Sequence, residues 1–313
     1  MIDHVFEAAR RISPYLGETP TVFSERHQAW MKLETEQVTG AYKVRGALNA
    51  LLKQVESGDR RTVVAASAGN HGAAVAWAAQ RLGLEAVIVV PRDAPKTKIA
   101  RIERLGARVI RQGEHFEESL RWALSLTRLK RARFLHAFDD PDVMAGQGTV
   151  ALELLSLRPD VVVLPIGGGG LASGCGTVLY AAGIRVVGVQ VEGVDAMRSA
   201  LKGGPVRIDP ALTVADGLRV AQAGTLARQI CAHVLDDVLL VKETCVRRMM
   251  ASMARHEGMR VEGAGVVALA ALDRVEGERR AVLLSGSNVD QAVLGAAVEE
   301  FPRDSVPTRR AQG

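Results

Sequence analysis

The chain has 313 residues, of which 48% are hydrophobic and 24% are charged. This composition is typical of a globular protein with large apolar cores, and it excludes a disordered chain. The length exceeds that of the commonest single domain and predicts two lobes with a cleft between them. No apolar run approaches the roughly 20 residues that a membrane span needs, and the N-terminus lacks a secretory signal pattern. We therefore expect a cytoplasmic protein without a membrane partner.

The formal charge of +5 and the pI near 9.3 raise the question of nucleic-acid binding. The arginines are interspersed with carboxylates, and aromatic residues are only 4% of the chain, too few for a base-stacking platform. We expect no nucleic-acid partner. Cys175, Cys231 and Cys245 lie far apart and show neither CxxC nor zinc-like spacing, which predicts reduced thiols without a disulfide or a structural zinc.

Apolar strands alternate with helical segments along most of the chain. The first predicted series is strand 62–66, helix 72–82, strand 86–90, helix 96–105 and strand 108–110. The second is helix 150–157, strand 161–166, helix 171–181, strand 186–191, helix 264–272 and strand 281–284. Alternation of this kind builds parallel sheets covered on both faces, so the pattern predicts an α/β protein with two doubly wound, open-sheet lobes.

Four consecutive glycines, Gly167 to Gly170, directly follow the apolar run 161–166 and precede a helical segment that starts at Leu171. Residues without side chains let backbone N–H groups approach a ligand closely, and a helix N-terminus adds unpaired donors and a positive dipole end. The segment therefore predicts an anion site, for which phosphate is the natural ligand. Its spacing fits neither a P-loop nor a dinucleotide fold, and a flexible glycine-rich loop is the alternative.

Two further polar loops follow predicted strands. Ser67 to Gly72 comes after the strand that ends at residue 66, and Ser285 to Asn288 comes after the strand that ends at residue 284. Ligands of open α/β sheets bind beyond the carboxyl ends of the strands. We therefore expect these loops and the tetraglycine to meet in one cleft.

Lys43 stands in the segment Thr39 to Ala47, where the lysine is followed by Val-Arg-Gly-Ala. Together with the three loops, this segment resembles the fold-type II enzymes of pyridoxal 5′-phosphate (PLP), and among them the threonine/serine dehydratase branch. Further matching segments are 17–20, 138–141, 145–149, 215–217 and 262–265. The resemblance implies a PLP site in the cleft, a large PLP-binding domain of residues 1–60 and 140–313, a small mobile domain of residues 61–139, and a homodimer.

The resemblance also implies roles for individual residues. Lys43 would form the Schiff base with PLP and act as the base at the substrate Cα, Asn70 would bind the ring 3-hydroxyl, and Ser285 would meet the pyridine nitrogen. Cofactor binding is implied for Lys43, Asn70, Phe138, Gly167, Gly168, Gly169, Gly170, Leu171 and Ser285. Binding of the substrate carboxylate is implied for Ser67, Ala68, Gly69, Asn70 and His71. Phe138 could equally be an ordinary core aromatic.

The implied activity is β-elimination of water from L-threonine or L-serine, which gives a 2-oxo acid and ammonia. Serine racemases of this family carry a second serine where this chain has Ala68, so the sequence favours elimination over racemisation. The alternatives are a serine racemase, a dehydratase of 3-phenylserine or 3-hydroxyaspartate, and a PLP-binding protein without lyase turnover. β-Replacement is less favoured, because the Arg-Gly-Ala after Lys43 is dehydratase-like.

The chain departs from the family pattern near the site and at a cation site of racemase-type relatives. Ala41-Tyr42 replaces the usual Ser-Phe before the lysine, and Ala137 replaces the usual proline, which leaves the choice of hydroxy amino acid open. Glu192 matches one cation ligand of those relatives, but Arg198 stands where a second acid is expected, and Asp195 is the one candidate to replace it. We expect no metal.

Overall fold

The structure is a computed structural model that describes residues 1–302, with the side chain of Lys130 left aside. The strands of these residues are β1 (Thr21–Ser24), β2 (Ala29–Leu33), β3 (Val63–Ala66), β4 (Ala86–Val90), β5 (Arg108–Arg111), β6 (Arg133–Phe134), β7 (Val161–Pro165), β8 (Arg185–Val191), β9 (Asp237–Val241) and β10 (Arg280–Leu284). The α-helices are α1 (Ile2–Ile12), α2 (Lys43–Glu56), α3 (Asn70–Leu82), α4 (Lys96–Arg104), α5 (Phe116–Lys130), α6 (Pro141–Leu152), α7 (Gly170–Ala181), α8 (Ala196–Leu201), α9 (Thr225–Val234), α10 (Glu243–His256), α11 (Gly263–Ala270) and α12 (Gln291–Glu300).

The larger sheet has the strand order β1-β2-β10-β7-β8-β9. Its β1–β2 pair is antiparallel, and the other pairs are parallel. Successive side chains of a strand point to opposite faces, and in β7 Val161 and Val163 join one apolar cluster while Val162 and Leu164 join another. Residues of α10, α11 and α12 cover the first face, and residues of α1, α6, α7 and α9 cover the second.

The smaller sheet has the strand order β5-β4-β3-β6, with all pairs parallel. Val63 and Ala65 of β3 pack in a cluster with residues of α2, α3 and α4, whereas Val64 and Ala66 face α5. Both sheets are thus buried on both faces by helices. The predicted α/β class with two doubly wound sheets is confirmed.

Most predicted elements of the two series are present, but the helix expected at 150–157 is wrong in its bounds. That helix, α6, begins at Pro141, where the side chain of Asp140 accepts hydrogen bonds from the amides of Asp142 and Val143. It ends at Leu152, and residues 155–157 form a separate short 3₁₀ turn. The start of this helix is set by its cap and not by the apolar residues that suggested it.

The division into residues 1–60 with 140–313 and residues 61–139 stays a prediction, and residues 303–313 lie outside the described part of the chain. Helix α2 packs against α3 of the smaller sheet and also against α6. Within residues 1–302 no helix is long and apolar enough to cross a membrane. The three predicted reduced cysteines are free thiols.

Candidate active site

One cavity of about 330 Å³ is lined by residues that follow strands of both sheets. Every residue predicted to bind cofactor or substrate contributes to its wall: Lys43, Ser67, Ala68, Gly69, Asn70, His71, Phe138, Gly167, Gly168, Gly169, Gly170, Leu171 and Ser285. Residues without a predicted role, among them Lys98, Arg101, Phe116 and Glu262, also line it. The predicted convergence of the loops therefore occurs, and it takes place where parallel strands end.

Lys43 is the first residue of α2, and the segment before it pairs with the chain that follows β10. Ala41 forms an antiparallel bridge with Gly286, and the amide of Tyr42 donates to the carbonyl of Ser285 at 3.2 Å. This pairing joins two segments that are far apart in sequence. It places the lysine and Ser285 on the same cavity.

Lys43 is partly buried in the cavity wall, and its Nζ donates to the carbonyl oxygen of Ala137 at 2.8 Å. Burial lowers the pKa of Lys43 to about 8, and the negative charge of Glu262 opposes that shift. A larger fraction of this amine is therefore neutral near pH 7 than of an ordinary lysine. A neutral amine is both a nucleophile and a base, so the site supplies the reactive form of this side chain.

A buried charge network lies next to Lys43 and fixes helix α2. The guanidinium of Arg45 donates to both carboxylate oxygens of Glu34, at 2.9 and 2.8 Å, and also pairs with Glu153. Lys32 pairs with Glu153 at 2.6 Å and donates to the carbonyl of Thr19. Two cations and two carboxylates therefore balance inside the core, and they explain why an arginine follows the lysine at two residues.

The tetraglycine loop leads directly into α7, whose first N–H groups have no partner within the helix. A Cβ on Gly168 would lie 2.3 Å from the ring of Phe138, and one on Gly170 would lie 2.6 Å from the carbonyl oxygen of Phe138. Gly169 has φ +101°, which side chains of L residues rarely allow. Only glycine fits these three positions, so the loop presents bare backbone and a helix N-terminus to the cavity.

Asn70 is held by two part-buried hydrogen bonds that the sequence did not predict. Its Nδ2 donates to Oε1 of Glu262 at 2.7 Å, and its Oδ1 accepts from Nδ2 of Asn288 at 2.7 Å. Burial raises the pKa of the Glu262 carboxyl to about 7, and the Asp216 charge adds to this shift. The side-chain amide of Asn70 is fixed in orientation and keeps one N–H free for a ligand.

The segment Ser67 to His71 forms the turn from β3 into α3, so its last residues lie at a helix N-terminus. A Cβ on Gly72 would meet the carbonyl oxygen of Ser67 at 2.2 Å, which explains the glycine after this turn. His71 is buried and its Nε2 lies 3.0 Å from the carbonyl of Leu135, while burial lowers its pKa to about 3. The neutral ring braces the turn, and the backbone N–H groups remain available for an anion.

Ser285 follows β10 and is 3% exposed. Its hydroxyl lies 3.4 Å from the carbonyl oxygen of Ala264, a long contact that leaves the group able to pair with a ligand. Ser285 therefore offers a neutral hydroxyl to the cavity and no charge.

Two contacts cross the cavity from α4, beside the smaller sheet, to segments of the larger lobe. Lys98 pairs with Asp216 at 2.5 Å, and Arg101 donates to the carbonyl oxygen of Thr39 at 2.6 Å. The sequence signals neither contact, because lysine and arginine side chains on a helix are usually solvated.

Residues 1–302 contain no group of three or more histidine, cysteine, aspartate or glutamate side chains that could hold a metal ion. Arg198 donates through Nε to the carbonyl of Val238 at 3.0 Å. The expectation that the chain works without a metal stays a prediction.

The chain matches the family model of pyridoxal-phosphate dependent enzymes over residues 12–286. It is 37% identical to the L-threonine ammonia-lyase of Thermotoga maritima over 314 residues, which cover 96% of this chain and 78% of that protein. Among solved structures it is similar to a threonine deaminase from T.th., with a TM-score of 0.87 at 34% identity over 92% of this chain and 98% of that one. Maize serine racemase is also similar, with a TM-score of 0.88 at 30% identity over 96% of this chain and 97% of that one.

These similarities extend over nearly the whole chain and include the segments that build the cavity. The chain therefore belongs to the pyridoxal-phosphate dependent enzymes and has their type II fold.

Proposed function

We propose that this enzyme is a PLP-dependent ammonia-lyase that removes water from L-threonine or L-serine and releases a 2-oxo acid and ammonia. The observation that carries the proposal is the meeting of Lys43, Asn70, Gly167–Gly170 and Ser285 in one cavity. The similar L-threonine ammonia-lyase and threonine deaminase support the same reaction.

The residues present fit the cofactor. Gly168, Gly169 and Gly170 would receive its phosphate, because their bare backbone and the N-terminus of α7 form a cradle that a Cβ would fill. Leu171 would add a backbone N–H from the first turn of α7, and Phe138 would close the site beside the glycines. Once joined to the amino group of the substrate in place of Lys43, the cofactor would supply an electron-withdrawing ring that makes the Cα proton acidic.

Lys43 is the proposed base. Its Nζ, with a pKa lowered to about 8, is placed to hold the cofactor and then to take the proton from Cα of the amino acid that displaces it. The Cβ–O bond then breaks, and the hydroxyl takes a proton from a neighbouring acid and leaves as water. Hydrolysis of the remaining enamine yields one ammonia and one 2-oxo acid for each amino acid consumed. The buried pairing of Arg45 with Glu34 keeps α2, and hence Nζ, in position.

The turn from β3 into α3 is the proposed carboxylate site. Backbone N–H groups of Ser67 to His71 would hold the substrate carboxylate at the N-terminus of α3, where the helix dipole favours an anion. Asn70 would donate its free N–H to the ring 3-hydroxyl, and its bonds to Glu262 and Asn288 fix that geometry. Ser285 would face the pyridine nitrogen with a neutral hydroxyl. Because this hydroxyl carries no negative charge, it would not stabilise a positive charge on the ring nitrogen, and the ring would withdraw electrons less strongly. A weaker electron sink disfavours a long-lived carbanion and favours elimination.

Ala68 favours elimination over racemisation. Racemisation needs an acid on the face of Cα opposite the base, and a methyl group in the loop cannot donate a proton. Serine racemase nevertheless remains the second candidate, because the maize enzyme is similar in fold over nearly the whole chain.

The proposal extends to the organisation of the protein. Residues 1–60 and 140–313 would form the large PLP-binding domain, and residues 61–139 would form the small mobile one. We propose a cytoplasmic homodimer with no nucleic-acid partner. The free buried thiols of Cys175 and Cys231 support the cytoplasmic location, because thiols stay reduced in a reducing compartment.

The test is an assay of ammonia and 2-oxo acid release by the purified chain with PLP. The substrates are L-threonine, L-serine, 3-phenylserine and 3-hydroxyaspartate, each measured separately. Equal amounts of both products from L-threonine or L-serine are expected. Release from 3-phenylserine or 3-hydroxyaspartate alone would contradict the proposed substrate class, and no release from any of the four would show a PLP-binding protein without lyase turnover.

A further inference from the structure

His136 lies in the turn that joins β6 to α6, and it shapes that turn with one ring nitrogen. Nδ1 accepts hydrogen bonds from the backbone amides of Phe138, at 3.3 Å, and of Asp139, at 2.8 Å. Only an unprotonated ring nitrogen can accept from an N–H group, so the ring carries its proton on Nε2. An apolar side chain at this position could not accept a hydrogen bond from either amide.

Phe138, the first residue held by His136, packs against the tetraglycine loop. Its ring covers Gly168 so closely that a Cβ there would lie 2.3 Å away, and its carbonyl oxygen approaches Gly170. The rings of His136 and Phe138 meet edge to face, with centroids 4.6 Å apart. The position of the imidazole therefore sets where the phenyl ring presses on the loop.

Asp139, the second residue held by His136, reaches the loop from another side. Its carboxylate accepts from the amides of Thr225, at 2.9 Å, and Ala227, at 3.0 Å, which are the first turn of α9. The amide of Gly224, directly before that helix, donates to the carbonyl oxygen of Gly168 at 3.0 Å. The turn at residues 136–139 thus contacts the tetraglycine loop directly through Phe138 and indirectly through α9.

We propose that His136 is a positioning residue for the cofactor phosphate: its Nδ1 holds the Phe138–Asp139 turn, and the turn holds Gly167–Gly170 in the shape that receives the phosphate. The inference rests on the proposed placement of the phosphate at this loop. His136 itself need not touch the cofactor.

The charges that face His136 are consistent with a neutral ring. Burial lowers the pKa of His136, the carboxylates of Asp139 and Asp140 oppose that shift, and the ammonium of Lys43 adds to it. His71 is a further titratable neighbour, whose own pKa is lowered by burial and then by Lys43, with a smaller contribution from His136. With the pKa held below its usual value, Nδ1 keeps its lone pair for the two amides.

The test compares two ligands and three variants of the full chain. The chain is freed of cofactor and titrated with PLP and with pyridoxal, which lacks the phosphate, and binding is followed by the absorbance of the ligand attached to the chain. His136→Ala removes the acceptor, whereas His136→Asn places an amide oxygen close to the position of Nδ1. His136→Gln places its amide further out, near the position of Nε2.

His136→Ala should bind PLP about 10- to 100-fold more weakly, which corresponds to the loss of two hydrogen bonds. Pyridoxal affinity should change by less than about 3-fold, because the phosphate contacts do not contribute to it. His136→Asn should bind PLP within about 3-fold of the unmodified chain, and His136→Gln should behave like the alanine variant. Should the alanine variant fail to fold, the comparison of asparagine with glutamine decides the same question.

Three results would overturn the inference. Equal losses for PLP and pyridoxal would show a general structural role, and an asparagine variant as weak as the glutamine variant would remove Nδ1 from the account. Gly168→Ala separates the inference from the phosphate site on which it rests, since its Cβ would clash with Phe138. A Gly168→Ala chain that keeps its preference for PLP over pyridoxal would place the phosphate elsewhere. If Gly168→Ala loses this preference but the His136 variants keep it, the phosphate site stands and only the role of His136 is rejected.

Discussion

Glu262 carries a buried carboxyl at the wall of the cavity, and it acts on two of the proposed functional groups. It accepts from Asn70 at 2.7 Å, and its charge raises the pKa of Lys43 against the effect of burial. Its own pKa is raised to about 7, first by burial and then by Asp216. The carboxyl thus gains charge over the pH range in which the lysine becomes neutral, which links the two titrations.

Replacement of Glu262 by glutamine should lower the pKa of Lys43. The amide can still accept from Asn70, but the negative charge that stabilises the ammonium is lost, so the amine becomes neutral at lower pH. The measurement is the rate of attachment of pyridoxal to the cofactor-free chain as a function of pH. Its midpoint, near the Lys43 pKa of about 8, should fall to lower pH.

The control for this experiment is Glu36→Gln, which removes an exposed carboxylate and should leave the midpoint unchanged. A midpoint that rises in Glu262→Gln would contradict the electrostatic account, because it would mean that the carboxylate does not favour the charged lysine.

Ala68 decides between elimination and racemisation at a single side chain. With no acid on that loop, L-serine should give pyruvate and ammonia with little D-serine, and Ala68→Ser should raise the share of D-serine while PLP binding persists. A positioned acid contributes about 10²- to 10⁴-fold, so the change is measurable by chiral analysis of the residual serine. Substantial D-serine from the unmodified enzyme would defeat this assignment.

At the scale of elements, helix α2 is held in place by a charge network that is largely buried. Arg45 is 2% exposed and pairs with Glu34 and Glu153, which are 0% and 10% exposed. Lys53 of the same helix pairs with Asp142 but is 37% exposed. Burial of the partners makes the first network sensitive to the loss of one charge, because the remaining carboxylates cannot be solvated.

Arg45→Ala should lower the free energy of unfolding by roughly 3–5 kcal/mol, since it removes the guanidinium from the buried carboxylate of Glu34 and leaves Glu153 paired with Lys32. Lys53→Ala should cost less than about 1 kcal/mol, as exposed pairs usually do. Urea unfolding of both variants measures the difference. Equal losses would show that the buried network does not stabilise α2.

The elements that the sequence predicted best are those whose signal is local. Strands 63–66 and 86–90 are apolar runs bounded by polar residues or proline, and their parallel pairing follows from the helix between them. Strands β1 and β2 went unpredicted because they are short and mix polar with apolar residues. The predicted start of α6 was wrong, because the cap at Asp140 determines where this helix begins.

At the scale of the whole molecule, the cavity brings both lobes together. The contacts of Lys98 with Asp216 and of Arg101 with the carbonyl of Thr39 cross from α4 to the larger lobe. They lie beside Glu262, which lines the same cavity. The position of α4 is therefore coupled to the electrostatics of the site, because Lys98 and Arg101 both lower the pKa of that carboxyl.

The candidate site was predictable where its residues follow strands and match family motifs. Lys43, Gly167–Gly170 and Ser285 were assigned in this way, and all of them line the cavity. Glu262 and His136 were not assigned roles, because what they do depends on hydrogen bonds, of Glu262 with Asn70 and of His136 with the amides of Phe138 and Asp139, that the sequence pattern does not show. Sequence pattern places backbone segments at the end of a sheet, but side-chain partners depend on packing.

Substitution of Lys43 tests the account most directly. Lys43→Ala should fold and lose both the visible absorption of cofactor attached to the chain and, by orders of magnitude, the release of ammonia from L-threonine. Lys53→Ala, in the same helix, should keep both. A Lys43→Ala enzyme that stays coloured and releases ammonia at nearly the unmodified rate would contradict the role of this lysine and with it the proposed mechanism.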